Sequence, residues 1–198
     1  YNKNELSKIS NQFFTNQTGG NINNGQYTKR VSIGQPLGSF YLYEIAGIDD
    51  RGEFVYKDLN NDGEINENDR RFFGSYIPSF VSSFNLKVIY KNFDVNIATY
   101  GSFGNKVYNG KKAQRFGNEN IEQFVFNNRW TSGRPSTNTP VASNNVPLSS
   151  NYFLESGDYF RINNFTIGYT FEREKSKLFN NTRLYFTAKN PLILKRFS

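Results

Sequence analysis

The stretch FVSSFNLKVIYKNFDVNIATY, residues 80–100, decides the fold. Phe80, Phe84, Leu86, Val88 and Tyr90 fall at even positions, and Ser83, Asn85 and Lys87 lie between them. Successive side chains of a strand point to opposite faces, so this period of two predicts a strand with one apolar and one polar face. Lys91 and Asn92 interrupt the pattern, which resumes with Phe93, Val95, Ile97 and Thr99 on the apolar side and Asp94, Asn96 and Tyr100 on the polar side. Two such runs joined by two polar residues predict a hairpin. Each arm has about ten residues, which is what a tilted strand needs to cross a bilayer. Tyr90 and Phe93 flank the turn, where an interfacial aromatic belt is expected.

Composition agrees with that reading. The chain has 198 residues, begins with Tyr1 and reads as a segment of a longer protein. Mean hydropathy is -0.68, and no apolar run reaches the ~18 residues that a membrane-spanning helix requires. Barrel strands escape that test because half of their residues line a polar interior. Twenty Phe and thirteen Tyr in an otherwise polar chain fit rings placed at or near a lipid interface. The net charge of +7 comes from scattered Lys and Arg, without the basic cluster or recognition helix of a nucleic-acid-binding protein. With no Cys and no His, the chain lacks thiolate chemistry, the commonest general base and the commonest transition-metal ligand. That argues against an enzyme.

Away from the hairpin, a polar strand is expected near Tyr1 to Ile9, a long Asn/Gly-rich loop over residues 10–37 and a strand over Gly38 to Ile48. Residues 104–157 lack periodicity and read as one long extracellular loop, since connections inside compact domains rarely exceed ~15 residues. A further strand places Arg161, Asn163, Phe165, Ile167, Tyr169 and Phe171 on one side, and Asn164, Thr166, Gly168 and Thr170 on the other. After the polar segment Glu172 to Asn181, Leu184, Phe186 and Ala188 alternate with Arg183, Tyr185, Thr187 and Lys189, and Pro191 is expected to end or bend that strand. About six strands result. The fold class is all-β, with antiparallel strands forming part of a large transmembrane barrel, because short turns alternate with long polar loops and six strands cannot close on themselves.

Several segments, in order, resemble the SusC/RagA branch of TonB-dependent receptors of Bacteroidota. Gly34, Pro36, Gly38, Ser39, Phe40, Tyr41 and Tyr43 match a Gly-x-Pro-x-Gly-Ser-Phe-Tyr-x-Tyr element. Asp69, Arg70, Gly74, Pro78 and Phe80 follow an acidic loop, and Asn128 to Thr131 match an Asn-Arg-Trp-Thr element. Tyr159, Arg161, Asn164, Thr166, Gly168, Tyr169 and Thr170 resemble a further family strand, and Thr182 to Asn190 the next. Family members usually finish with another strand ending in an aromatic residue, whereas this sequence stops at Arg196, Phe197 and Ser198. The resemblance implies that residues 1–198 are the C-terminal part of an outer-membrane barrel of about 22 strands. It also implies TonB-dependent import of an oligosaccharide or peptide, capture with a SusD-like surface lipoprotein, and coupling to the TonB complex through a region upstream. Outer-membrane lipid is then a partner and nucleic acid is not.

Candidate sites follow from the residues. Within the acidic loop at residues 49–74, Asp58, Asn60, Asp62, Glu64 and Asp69 have the oxygen-ligand spacing of a calcium loop, with Gly63 at the turn and the Glu64 carbonyl as one donor. Asp69 stands where Glu is usual, and the flanks read as strand and loop; the plain alternative is an Asn/Asp/Gly turn that binds no ion. Arg129 and Trp130 suit stacking on a ligand or a partner, or simply pinning a loop. Lys87, Asp94, Asn96 and Tyr100 are expected on the lumen side, where polarity also serves to hold water. Arg161 and Asp158 are placed to pair at a loop base. The rival reading of the whole chain is a soluble, calcium-stabilised β-rich carbohydrate-binding or adhesion module.

Overall fold

The computed structural model describes residues 1–9, 21–23, 26–115, 120–136, 138–143, 145–172 and 181–196. In chain order the strands are β1 (Asn21–Asn23), β2 (Gln26–Tyr27), β3 (Ser39–Tyr43), β4 (Ile45–Ile48), β5 (Phe54–Tyr56), β6 (Arg70–Ser75), β7 (Phe80–Tyr90), β8 (Phe93–Phe103), β9 (Lys106–Tyr108), β10 (Leu154–Ser156), β11 (Tyr159–Glu172) and β12 (Asn181–Lys195). Two short helices, α1 (Gly110–Gln114) and α2 (Gln123–Asn128), lie between β9 and β10. The chain divides into two compact units, one built on residues 1–2, 78–105 and 156–198, the other on residues 3–77 and 106–155.

The first unit is an antiparallel sheet in the order β12-β11-β8-β7. Its strands have 11, 11, 14 and 15 residues along the chain. β7 and β8 pair without interruption from Tyr90↔Phe93 to Phe80↔Phe103, as the sequence predicts, around Lys91 in the left-handed region at φ 52°. Directly opposed residues share a face, so Phe84, Leu86, Val88 and Tyr90 align with Thr99, Ile97, Val95 and Phe93. β11 adds Ile162, Phe165, Ile167 and Tyr169 to those rows, and β12 adds Leu192, Ala188, Phe186 and Leu184. Among the described residues this face carries no Asp, Glu, Lys or Arg. It is not folded into a core: Phe84 is 59% exposed and Phe93 51%.

Aromatic rings bracket the apolar face. Phe93 packs on Tyr169 at 4.6 Å beside the turn, and Phe80 stacks on Phe103 at 6.0 Å at the far end. The ten steps from Phe80 to Tyr90 rise about 33 Å along the strand. At a tilt of about 40° that is near 25 Å across a membrane, the height of the apolar band of outer-membrane barrels.

β11 departs from simple alternation. Its register shifts between Ile162 and Asn164 against both neighbours, leaving Asn163 as an extra residue. The extra residue exchanges the faces, so Arg161 lies opposite Tyr100 on the polar side and not beside Phe165, as the sequence alone implied. β12 matches the bulge at Asn190 and Pro191, with Asn190 at φ 50°, and continues to Lys195 where Pro191 was expected to end or bend the strand.

The second unit corrects other expectations. Tyr1 to Ile9 form no strand, residues 10–20 of the first expected loop lie outside the described residues, and β1 and β2 form a short hairpin. The single strand expected over Gly38 to Ile48 is two strands, β3 pairing with β6 and β4 with β5. They separate at Glu44, whose carboxylate reaches Lys57 at 2.6 Å and Arg71 at 2.7 Å. Residues 104–157 hold β9, β10, α1 and α2, and α1 is capped by Asn109, whose side chain accepts from the Lys112 amide. Buried Phe40, Leu42, Tyr108, Ala113 and Phe153 form the core, so β3, β9, α1 and the turn before β10 share it.

Charge tolerance separates the two faces of the sheet. Near mid-strand, Ile97→Arg should cost about 2–4 kcal/mol of folding free energy in lipid, whereas Asn96→Arg should cost about 1 kcal/mol or less. Urea titration of the full-length protein in phospholipid vesicles measures both, and equal costs would contradict the assignment of faces.

Candidate functional site

The polar face of the sheet gathers Lys87, Asp94, Asn96 and Tyr100, all four placed there by the register. Lys87 lies across from Asn96, and Asp94 across from Gly168. The Asp94 carboxylate is held by Arg183 of β12, which donates from Nε at 2.9 Å and from its terminal nitrogen at 2.5 Å. This two-pronged pair spans β11 between them. It is permitted by Gly168, because a Cβ there would lie 2.6 Å from the Asp94 Oδ1 and 2.7 Å from the Arg183 guanidinium. The Thr166 and Thr187 hydroxyls share a hydrogen bond of 3.0 Å on the same face. Lys87, Asp94, Asn96, Thr170 and Arg183 line a groove of about 450 Å³ beside the turn. Arg183 was not a sequence candidate. The partner of a lone acid on a strand is invisible until register places it.

Arg161 and Asp158 do not pair. The Asp158 carboxylate accepts from the Gly104 amide at 2.7 Å, and Arg161 lies over the rings of Tyr100 and Tyr159.

The acidic loop is organised by its own side chains. Asn61 at φ 57° and Gly63 at φ 86° form the tight turn. Asp58 accepts from the Gly63 amide at 2.8 Å, and Asp62 accepts from the Glu64 amide at 2.9 Å and from the Asn60 side chain at 2.7 Å. Asp69 is fully buried and accepts from the Asn66 and Leu59 amides, each at 2.8 Å. It forms a reciprocal cap with Asn66. Among the described residues no three acidic side chains converge into a metal cage. The Glu64 amide, with help from Asn60, holds the Asp62 carboxyl below the usual carboxylate range. The Asn66 and Leu59 amides do the same for Asp69.

Trp130 lies against the backbone of the turn at residues 49–53. A Cβ on Gly52 would meet the indole at 2.6 Å, so only glycine admits this approach. Asp49 ties the turn by accepting from the Arg51 amide at 2.9 Å and the Glu53 amide at 2.7 Å. Trp130 itself donates from its backbone to the Thr139 carbonyl, and the preceding Arg129 carbonyl accepts from Arg134. Burial lowers the Arg129 guanidinium pKa from its ordinary value. The ring therefore clamps two segments of the second unit.

No protein-family model matches the chain. It is 26% identical over 212 residues to TonB-dependent receptor P3 of Formosa agariphila, covering 96% of this chain and 21% of that protein. It is 25% identical over 208 residues to TonB-dependent receptor SusC of Bacteroides thetaiotaomicron, covering all of this chain and 20% of that protein. Along its whole length the chain is thus similar to TonB-dependent receptors of the SusC kind. The chain spans about a fifth of the length of those two relatives. Its fold matches a solved structure described as the RagAB peptide importer in the closed-closed state, with a TM-score of 0.76, 19% identity, and coverage of 98% of this chain and 22% of that one. The RagAB structure in the open-open state gives a TM-score of 0.74 at the same coverage. The sheet thus has the fold of part of an antiparallel barrel. The relatives are named as receptors and not as enzymes.

The acidic loop has a defined pH response. Because the native Asp62 and Asp69 carboxyls sit below the unfolded aspartate value of about 3.9, their contribution is complete above that pH and is lost as pH falls through the lowered values. Hydrogen-exchange protection of the Leu59 and Asn66 amides, corrected for intrinsic rates, should therefore drop in acid. Asp69→Asn should lose it at neutral pH, and unchanged protection in that variant would show that the carboxylate does not hold the loop.

Proposed function

We propose that this stretch is the wall of a TonB-dependent importer that carries an oligomeric nutrient, glycan or peptide, across the outer membrane with a SusD-like surface lipoprotein. The carrying observation is the charge-free, uncovered face of β7, β8, β11 and β12 backed by a polar face. Such a sheet suits hydrocarbon on one side and a water-filled lumen on the other. On this reading Lys87, Asp94, Asn96 and Tyr100 face the lumen, the turn at Lys91 and Asn92 is periplasmic, and residues 104–157 are extracellular. The relative SusC and the RagAB importer support a surface lipoprotein as the partner. The outer edges of β7 and β12 pair with strands of the remaining receptor, because unpaired backbone is not tolerated in lipid. Energy comes from the TonB complex through a part of the receptor outside this stretch, and no bond of the cargo is made or broken.

Affinity purification of the full receptor from outer membranes should recover a surface lipoprotein, and deleting the receptor gene should abolish growth on one class of oligosaccharide or peptide. Recovery from the aqueous fraction without detergent would favour the soluble binding module instead.

The loop of Asp58, Asn60, Asp62, Glu64 and Asp69 holds calcium and stiffens an extracellular loop. The spacing of its oxygens, the turn at Gly63 and carboxyls that stay ionised at neutral pH support this. Arg129 and Trp130 brace the neighbouring segment. Calorimetry of the full receptor under millimolar calcium should show one site that Asp62→Ala removes. No heat of binding, together with no anomalous signal at the loop, would leave a self-supporting Asx turn.

A further inference from the structure

Two arginines on the polar face of the sheet are built in opposite ways. Arg183 is matched to a resident carboxylate, that of Asp94. Arg161 is steadied by uncharged rings: its guanidinium carbon lies 5.5 Å from the Tyr100 centroid and 5.9 Å from that of Tyr159, and those rings are themselves 5.9 Å apart. Its cross-strand partners are Tyr100 on β8 and Ile193 on β12, neither of which balances charge. Among the described residues no acid forms an ion pair with Arg161, since Asp94 is held by Arg183 and Asp158 accepts from Gly104. The Nε of Arg161 and the Oδ1 of Asn163 are shielded without hydrogen-bond partners.

Regular alternation would have turned this arginine toward the apolar face, where a charge is costly in lipid. The bulge at Asn163, matched on β12 at Asn190 and Pro191, turns it inward. Bulges recur where a side chain must be re-aimed. What is aimed here is a planar five-donor fork whose geometry fits a carboxylate with two parallel hydrogen bonds. Two tyrosine faces beside it suit the flat side of a sugar ring or a peptide plane.

We infer that Arg161, braced by Tyr100 and Tyr159, is a contact for a carboxylate-bearing group of the imported oligomer, supplied by a uronic acid or by an acidic amino acid. The inference rests on the import reading above and names the chemical class of its cargo.

The test uses the purified full receptor in detergent and four probes: a uronic-acid hexasaccharide, a neutral hexose hexasaccharide, a hexapeptide rich in Asp and Glu, and a neutral hexapeptide. Calorimetry should show that one acidic probe binds more tightly than its neutral counterpart, and which one identifies the source of the carboxylate. Arg161→Gln should weaken that probe by about 10- to 100-fold, and Arg161→Lys should restore part of the loss because charge returns without the fork. Tyr100→Leu, which leaves the cation in place, should weaken the acidic and neutral members of that pair alike.

Acidic probes that bind no better than neutral ones, or an Arg161→Gln receptor that binds the acidic probe as wild type does, overturn the inference. A lower melting temperature of ligand-free Arg161→Gln with unchanged binding also overturns it, since Arg161 would then serve a resident acid elsewhere in the receptor. Should Arg161→Gln fail to fold, Arg161→Lys and Tyr100→Leu decide by the same comparison. Growth scores import separately, so an importer indifferent to charge and a binder that does not import are distinguishable.

Discussion

In hydrocarbon every backbone N–H and C=O must find its partner within the protein, and the four-stranded sheet is what remains once that demand is met. Uninterrupted pairing of β7 with β8 over eleven residues each satisfies it along the full depth of a bilayer. The two-residue turn at Lys91 and Asn92 wastes no chain at the membrane surface. Once the backbone is committed to strands, period two follows, and each side chain faces either lipid or lumen. The absence of charge from one face is therefore a single physical requirement met many times, by Phe84, Val95, Ile167, Phe186 and their neighbours.

Within that frame, register decides the electrostatics. Asp94 and Arg183 belong to strands that do not touch each other's backbone, yet they pair because β11 presents only a glycine between them. A side chain at Gly168 would occupy the space through which the guanidinium reaches. The bulge at Asn163 acts at a larger scale by exchanging the faces of everything before it on β11, while β12 takes up the shift at Asn190 and Pro191 and keeps its own alternation. One inserted residue thereby delivers a cation to the polar side and keeps Phe160 and Ile162 on the apolar side. The bulge costs ladder regularity and is retained within a sheet that otherwise pairs cleanly.

The second unit solves a different problem, that of giving long polar connections a definite shape. Few large apolar residues are available, so Phe40, Leu42, Tyr108, Ala113 and Phe153 are drawn from separate stretches into one small core. Polar anchors do much of the remaining work. Glu44 gathers Lys57 and Arg71, Asp49 ties the turn on which Trp130 rests, and Asp69 caps the acidic loop from within. Tyr56, whose hydroxyl accepts from the Leu148 amide, is pushed up to about 12 by burial, so it serves as a neutral anchor.

The sequence by itself determined the long strands, because sustained alternation is imposed by contact with two different solvents. The hairpin of residues 80–100, the alternation at Phe165 to Phe171 and that at Leu184 to Ala188 were legible for this reason, as were the family motifs. It also placed Lys87, Asp94, Asn96 and Tyr100 on one face. Tertiary structure alone decided what depends on partners distant in the chain: the split of residues 38–48 at Glu44, the short elements within residues 104–157, and the clamp of Trp130 on Gly52. Elements of three to five residues carry too few positions to show a period, and their stability comes from neighbours dozens of residues away. The position of Arg161 is the sharpest case. The apolar positions change phase between Phe160, Ile162 and Phe165, Ile167, and pairing with β8 and β12 places that change at Asn163 and the arginine on the polar face.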